Sequence, residues 1–197
     1  MKAGMITILV LIILLTAVSM AVHAYNNHVE RQKYTVSRIE KGFEIRFYPK
    51  ALMATVVTPL DKDNNVRNNN FRRLAGYIFG GNKESKTFAM TAPVHMEQDA
   101  HTSKMSFVLP SGTQLNDLPN PNDSSVKFNY SDEGYYAALR FGGFSSEKRI
   151  RRKEAELKAL LQKAGYETIG NFSYLGYNAP WDIINRENDI IVKIKYP

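Results

Sequence analysis

The chain contains no cysteine. That single absence excludes disulfides, thiolate metal sites and cysteine nucleophiles together. Four histidines occur in 197 residues, so imidazole ligands for a metal are few. There is no G-x-S-x-G elbow, no H-E-x-x-H helix and no G-K-[ST] phosphate loop, and no His/Asp/Glu cluster falls at metal spacing. These gaps argue against an enzyme. Acid is scarcer than base, with 19 Asp and Glu against 26 Lys and Arg and a net charge of +7. The balance favours phosphate, carboxylate or an anionic membrane surface as partner.

Long apolar runs are missing too, with one exception. Residues 5–22 are apolar except for Thr7, Thr16 and Ser19. Lys2 precedes the run, and Val22-His23-Ala24 puts small residues at the two positions a signal peptidase reads. The run is also long enough to span a bilayer. Residues 1–24 are therefore expected to be a signal peptide or an N-terminal membrane anchor, and residues 25–33 a polar tether. The protein is expected to be exported, either periplasmic and free or held at the membrane.

What is present is a duplication. The first copy has an aromatic strand over 44–57, an amphipathic stretch over 66–79 and Gly80-Gly81. An extended segment with Met90-Thr91-Ala92-Pro93-Val94 and a strand over 104–109 complete it. The second has a strand over 126–141, Gly142-Gly143 and a helix over 146–164. Gly165, a segment with Tyr177-Asn178-Ala179-Pro180-Trp181 and a strand over 189–195 follow. Both read strand, helix, strand, strand, and an irregular Pro-rich link over 110–123 joins halves of about 34–110 and 124–197. Pro93 and Pro180 occupy equivalent places and are candidates for cis bonds or bulges. The fold class is α+β with mostly antiparallel strands. Halves so related close around a shared groove, which makes the domain over 34–197 a monomeric binding module.

Helix ends are legible. Ser146 and Gly165 are the expected N-cap and C-cap of the second helix, with a stripe of Ile150, Leu157, Leu160, Leu161 and Ala164. Glu147 to Arg151 and Glu154 to Lys158 are acid-before-base pairs. In the first helix Val66, Phe71, Leu74, Ala75 and Ile78 share a face, and Gly76 lies mid-helix.

Six motifs then follow in order. They are Phe71-Arg72-Arg73-Leu74; Tyr77-Ile78-Phe79-Gly80-Gly81-Asn82; Met90-Thr91-Ala92-Pro93-Val94; Ser106-Phe107-Val108-Leu109-Pro110; Arg140-Phe141-Gly142-Gly143-Phe144; and Gly176-Tyr177-Asn178-Ala179-Pro180-Trp181 leading to Asn185-Arg186-Glu187-Asn188. Together they resemble the SOUL haem-binding family from about Tyr34 onward. The resemblance implies a distorted antiparallel β-barrel from a duplicated β-α-β-β unit, flanked by two helices. It also implies non-covalent binding of haem or another tetrapyrrole in an apolar groove between the repeats. Relatives described as haem binders place the macrocycle against the first helix.

On that implication Phe71, Leu74, Ala75 and Ile78 line the site and Met90 closes its floor. Arg72 or Arg73 meets a propionate, with Arg67 and Arg186 as further cations, and His95 is the candidate iron ligand. Where family haem binders carry a basic residue after the second turn, this chain has Asp182. Nucleic acid is not an expected partner, because the basic run over 148–153 is flanked by Glu147, Glu154 and Glu156 and lacks stacking aromatics. Two other readings stay open. One is a general small-ligand or protein-interaction module; the other is a small hydrolase using a pair such as Glu44 with Tyr48.

Overall fold

The computed structural model describes residues 6–14, 16, 29–60, 66–179, 182 and 186–196. In chain order the strands are β1 (Glu30–Arg31), β2 (Thr35–Glu40), β3 (Phe43–Tyr48) and β4 (Leu52–Pro59), followed by helix α1 (Val66–Ile78). Then come β5 (Thr91–Ala92), β6 (Val94–Gln98), β7 (Thr102–Val108), a 3-10 turn and β8 (Lys127–Tyr130). The chain ends with β9 (Gly134–Gly142), α2 (Glu147–Ala164), β10 (Thr168–Gly176) and β11 (Glu187–Ile194).

Nine strands form one antiparallel sheet in the order β2-β3-β9-β11-β10-β6-β7-β4-β8. Apart from β2 at one edge, the order is a palindrome about the β10·β6 pair. Outward from it, each copy places its two strands after the helix and then the strand before the helix. Beyond these the copies trade: β3 pairs with β9 of the second copy, and β8 pairs with β4 of the first.

That trade explains why two expected strands are each broken. Residues 44–57 read as one strand but split into β3 and β4, because Pro49 has no N–H to continue the ladder. Residues 126–141 split likewise at 131–133. Six inter-strand spacings separate β3 from β4 in the sheet order, about 29 Å if the sheet were flat. The link over 49–51 reaches only about 14 Å when extended. The sheet must therefore curl until its ends approach. At the seam the two links bond each other, Ser131 N donating to Ala51 O at 2.8 Å and Ala51 N to Ser131 Oγ at 3.0 Å. No ladder joins the edges among the described residues, so the expected barrel is instead an open, curled sheet.

Both flanking helices lie outside the curl. Leu74, Tyr77 and Ile78 of α1 pack with Leu52, Ala54, Val56, Val94, Met105 and Phe107. Ile150, Leu157 and Leu161 of α2 pack with Phe43, Ile45, Leu139, Phe141 and Ile190. The caps of α2 are as expected: Ser146 Oγ accepts from Arg149 N, and Gly165 adopts φ 78°. The Glu147–Arg151 pair forms at 3.1 Å, whereas Ala164 is exposed and leaves the stripe.

Gly76 is exposed, and a Cβ there would meet nothing within 4 Å. Gly76→Ala is expected to stabilise the protein by about 0.5–1 kcal/mol, readable as a higher urea midpoint with unchanged slope. Gly81 is the opposite case. Its nitrogen bonds Gly76 O at 2.8 Å, and a Cβ would sit 2.6 Å from that carbonyl.

At the N-terminus residues 6–14 and 16 are helical. Among the described residues no helix is long and apolar enough to cross a membrane, so the structure gives the expected signal or anchor helix no support. The rest of the expected apolar run and its cleavage positions lie outside the described residues. Residues 30–31, within the expected tether, pair in parallel with Thr91–Ala92.

Candidate functional site

Strand alternation sends every second residue of the curled sheet inward, away from the helices. Met53 of β4, His95 and Glu97 of β6, Lys104 and Ser106 of β7, and Ser173 of β10 turn to that side. Tyr136 of β9, with Ile191 and Lys193 of β11, completes the concave face. These residues, joined by Gln32, Tyr48 and the seam residues 129–132, line a groove of about 480 Å³ that spans both halves. Its volume falls in the range of small-ligand sites. Its walls mix aromatic and aliphatic surface (Tyr48, Tyr136, Met53, Ile191) with hydroxyls, an imidazole and two lysines.

His95 is the groove's central titratable group. Its cross-strand neighbours are Ser106 on β7 and Leu175 on β10. Its Nε2 lies 2.7 Å from Gln32 Oε1. Burial, reinforced by the charge of Lys104, lowers its pKa from 6.5 to about 4. The ring is therefore neutral at pH 7 and keeps one lone pair. The unfolded chain takes up a proton near pH 6.5, while the folded protein resists until about pH 4. The stability gained from neutral His95 is thus complete above pH 6.5 and is lost as pH falls through that window. The expected loss is about 3 kcal/mol. Urea unfolding of the wild type and His95→Gln across this range tests it. Parallel losses in both proteins would assign the pH dependence to other groups.

A buried charge network closes one side of the same face. Asp189 is fully buried and accepts from Arg46 Nη1 at 2.7 Å, Arg140 Nε at 3.0 Å and Tyr177 Oη at 2.8 Å. Burial pushes the Asp189 carboxyl up, but its bonds to Arg140 and Arg46 and their charges outweigh that and hold it below its usual range. Arg46 also donates to Glu44 at 2.7 Å and to Tyr48 Oη at 3.3 Å. Arg46 therefore stands between the two members of the Glu44–Tyr48 pair considered from sequence. Burial raises Tyr48 to about 12, so it is no readily ionised nucleophile.

The residues named from sequence fall in two places. Leu74 and Ile78 are 0% and 2% exposed and belong to the core under α1. Phe71, Ala75 and Met90 are half-buried and pack against that core, Phe71 edge-on to Phe107 at 5.2 Å. Arg72 is exposed and Arg73 faces Asp123 at 3.7 Å. Arg67 stands 6.0 Å over the Tyr174 ring in the cleft between the helices. Of the site residues named from sequence, only His95 reaches the groove.

Asp182, read as a departure from the family pattern, is buried and accepts from Asn178 Nδ2 at 2.6 Å. Arg186 Nη1 caps the carbonyls of Ala179 and Asp182. Both therefore tie together described residues 178, 179, 182 and 186 ahead of β11. The Ala92–Pro93 bond is cis; Pro180 and Trp181 lie outside the described residues. Among the described residues no group of three or more His, Asp or Glu is placed to hold a bare metal ion.

Comparison with known proteins agrees with this architecture. A family model described as SOUL heme-binding protein matches residues 29–193. Human heme-binding protein 2 is 31% identical over 158 residues, covering 76% of each chain. Among solved structures, the EcmrR C-terminal domain matches with a TM-score of 0.60 at 9% identity, covering 83% of this chain and 99% of that domain. A protein named as a hydrolase from Listeria innocua matches at 0.58 and 11% identity, covering 81% of this chain and 94% of its own. At such identities the last two speak for the fold alone. The family model spans both copies of the repeat, the curled sheet and the groove, and on that match the chain belongs to the SOUL heme-binding protein family.

Proposed function

We propose that the protein binds haem or a related tetrapyrrole, non-covalently, in the groove on the concave face of the sheet. The observation that carries this reading is one cavity of about 480 Å³, lined by both repeats, in a chain of this family. Its residues suit the group. Tyr48, Tyr136, Met53 and Ile191 offer surface for a flat apolar ring. Lys104 and Lys193 offer cations for the propionates, held only loosely by Glu97 at 4.0 Å and Asp132 at 3.9 Å. His95 offers a neutral imidazole, the form that iron accepts. Bound haem would bring redox and axial-ligand chemistry; the protein contributes enclosure, charge and orientation. Export, or anchoring through the N-terminal segment, completes the proposal and rests on the apolar run over residues 5–22.

Hemin titration of the purified protein, followed at the Soret band, tests this. Saturable binding that weakens in Ser173→Trp, which fills the groove, is the expected result. No saturable change at micromolar protein removes haem as the ligand. A second reading, a binding module for another small polar-aromatic ligand, draws on Ser106, Glu97, Ser173 and Asn129 among the lining. Native purification followed by extraction of any copurifying ligand separates the two, since haem is coloured.

A further inference from the structure

Residues 30–32 are carried to the groove by a strap that both halves hold. Glu30 Oε1 accepts from Ser111 N at 2.9 Å, at the start of the link, and Gln32 N donates to Ala92 O at 2.8 Å, in the first half. Arg31 forms a two-pronged pair with Glu187 at 2.9 and 3.2 Å, in the second half, and lies 5.4 Å over the Tyr177 ring. Between these clips the Gln32 side chain reaches the groove and meets His95.

Among the described residues the ring of His95 makes no side-chain hydrogen bond besides the one to Gln32. Ser106, opposite it on β7, shares a 2.8 Å hydrogen bond with Thr55. Leu175, opposite it on β10, is apolar. Glu97 accepts from Asn171 at 3.2 Å and faces Lys104. Lys104 is only a donor, so it has nothing to offer an N–H. Among the described residues Gln32 Oε1 is the one acceptor bonded to the ring, which makes Nε2 the protonated nitrogen and leaves Nδ1 with the lone pair.

We propose that Gln32 is the positioning residue of the groove, fixing the tautomer and orientation of His95 so that Nδ1 is the nitrogen available to a ligand. Three clips on adjacent residues hold the acceptor in place, as an outer hydrogen-bond partner must be held to orient an imidazole. For the identity of the ligand, the inference rests on the haem-binding reading; for the state of the ring, it stands alone.

The test has two arms, each on the full chain. Long-range imidazole proton–nitrogen correlation of the 15N-labelled, ligand-free protein at neutral pH reports the tautomer directly. Wild type should show a single Nε2–H form at His95. Gln32→Met, which keeps bulk but has no acceptor, should show averaged tautomers, and Gln32→Glu should restore the single form. A wild-type ring protonated at Nδ1, or an unchanged pattern in Gln32→Met, overturns the proposal. In the second arm, hemin affinity should fall about 10-fold in Gln32→Met and recover in Gln32→Glu, with thermal melts confirming equal folding. Equal affinity in wild type and Gln32→Met overturns the role toward a ligand. If wild type takes up no hemin, the haem reading fails while the tautomer arm still decides the role of Gln32.

Discussion

Asp189→Ala is expected to cost about 3–5 kcal/mol of folding stability, the usual penalty for removing one partner of a buried ion pair. The carboxylate is 0% exposed and takes bonds from Arg46, Arg140 and Tyr177. Its loss strands the guanidinium of Arg46, itself only 1% exposed. Glu44 holds one nitrogen of that guanidinium and the Tyr34 ring stacks 4.4 Å away, but neither replaces the missing charge within the sheet. Chemical denaturation of the variant beside Glu44→Gln checks this. Glu44 is part-exposed, so its loss should cost far less. Similar costs for the two variants would show that Asp189 is not the centre of the network.

Leu74→Ala should be nearly as damaging to stability, at about 2–5 kcal/mol, and yet leave hemin binding by the folded protein unchanged. Leu74 is completely buried between α1 and the outer face of the sheet, so truncation leaves a void and removes no groove surface. Melting temperature and hemin dissociation constant are to be measured on the same sample. A variant that keeps its stability but loses hemin affinity would return the site to the first helix, where the family resemblance places it.

These two cases mark what the sequence made legible. Apolar periodicity located α2, its stripe and its caps because each signal lies within a few residues of the next. The stripe of α1 was equally legible, but not what it faces: Phe71, Leu74, Ala75 and Ile78 form the same pattern over a core or a ligand. Asn70 and Tyr77 were missed as buried. Asn70 is satisfied by Thr58 at 2.6 Å, and Tyr77 donates to Pro119 O at 3.2 Å. Both partners come from outside the helix.

The charge network stayed hidden because Arg46 and Asp189 lie 143 residues apart. A local signal existed. Arg46, flanked by Ile45 and Phe47, is a charge inside an aromatic strand, and Asp189 stands directly before the apolar run Ile190-Ile191-Val192. A charge at such a position needs a buried counter-charge. A groove between the halves was expected, but its lining was missed for a related reason. Its polar lining, including His95, Glu97, Lys104 and Ser106, reads locally as the solvent face of β6 and β7. Only the curl, set by short links at Pro49 and Ser131, turns that face inward.

The exchange of β3 and β8 between the copies bears on how such a chain arises and folds. A single β-α-β-β unit with its leading strand would leave the partner edge of that strand empty. Two separate copies would each lend a strand to the other, which is domain swapping in a symmetric dimer. Fusing them through the segment over 110–123 makes the exchange intramolecular and removes its dependence on concentration. Neither half is then an autonomous folding unit. Pairings such as Arg46 with Tyr136 and Met53 with Asn129 require strands distant in sequence to meet first, which slows folding. Halves expressed separately would be poorly folded alone and complementary when mixed.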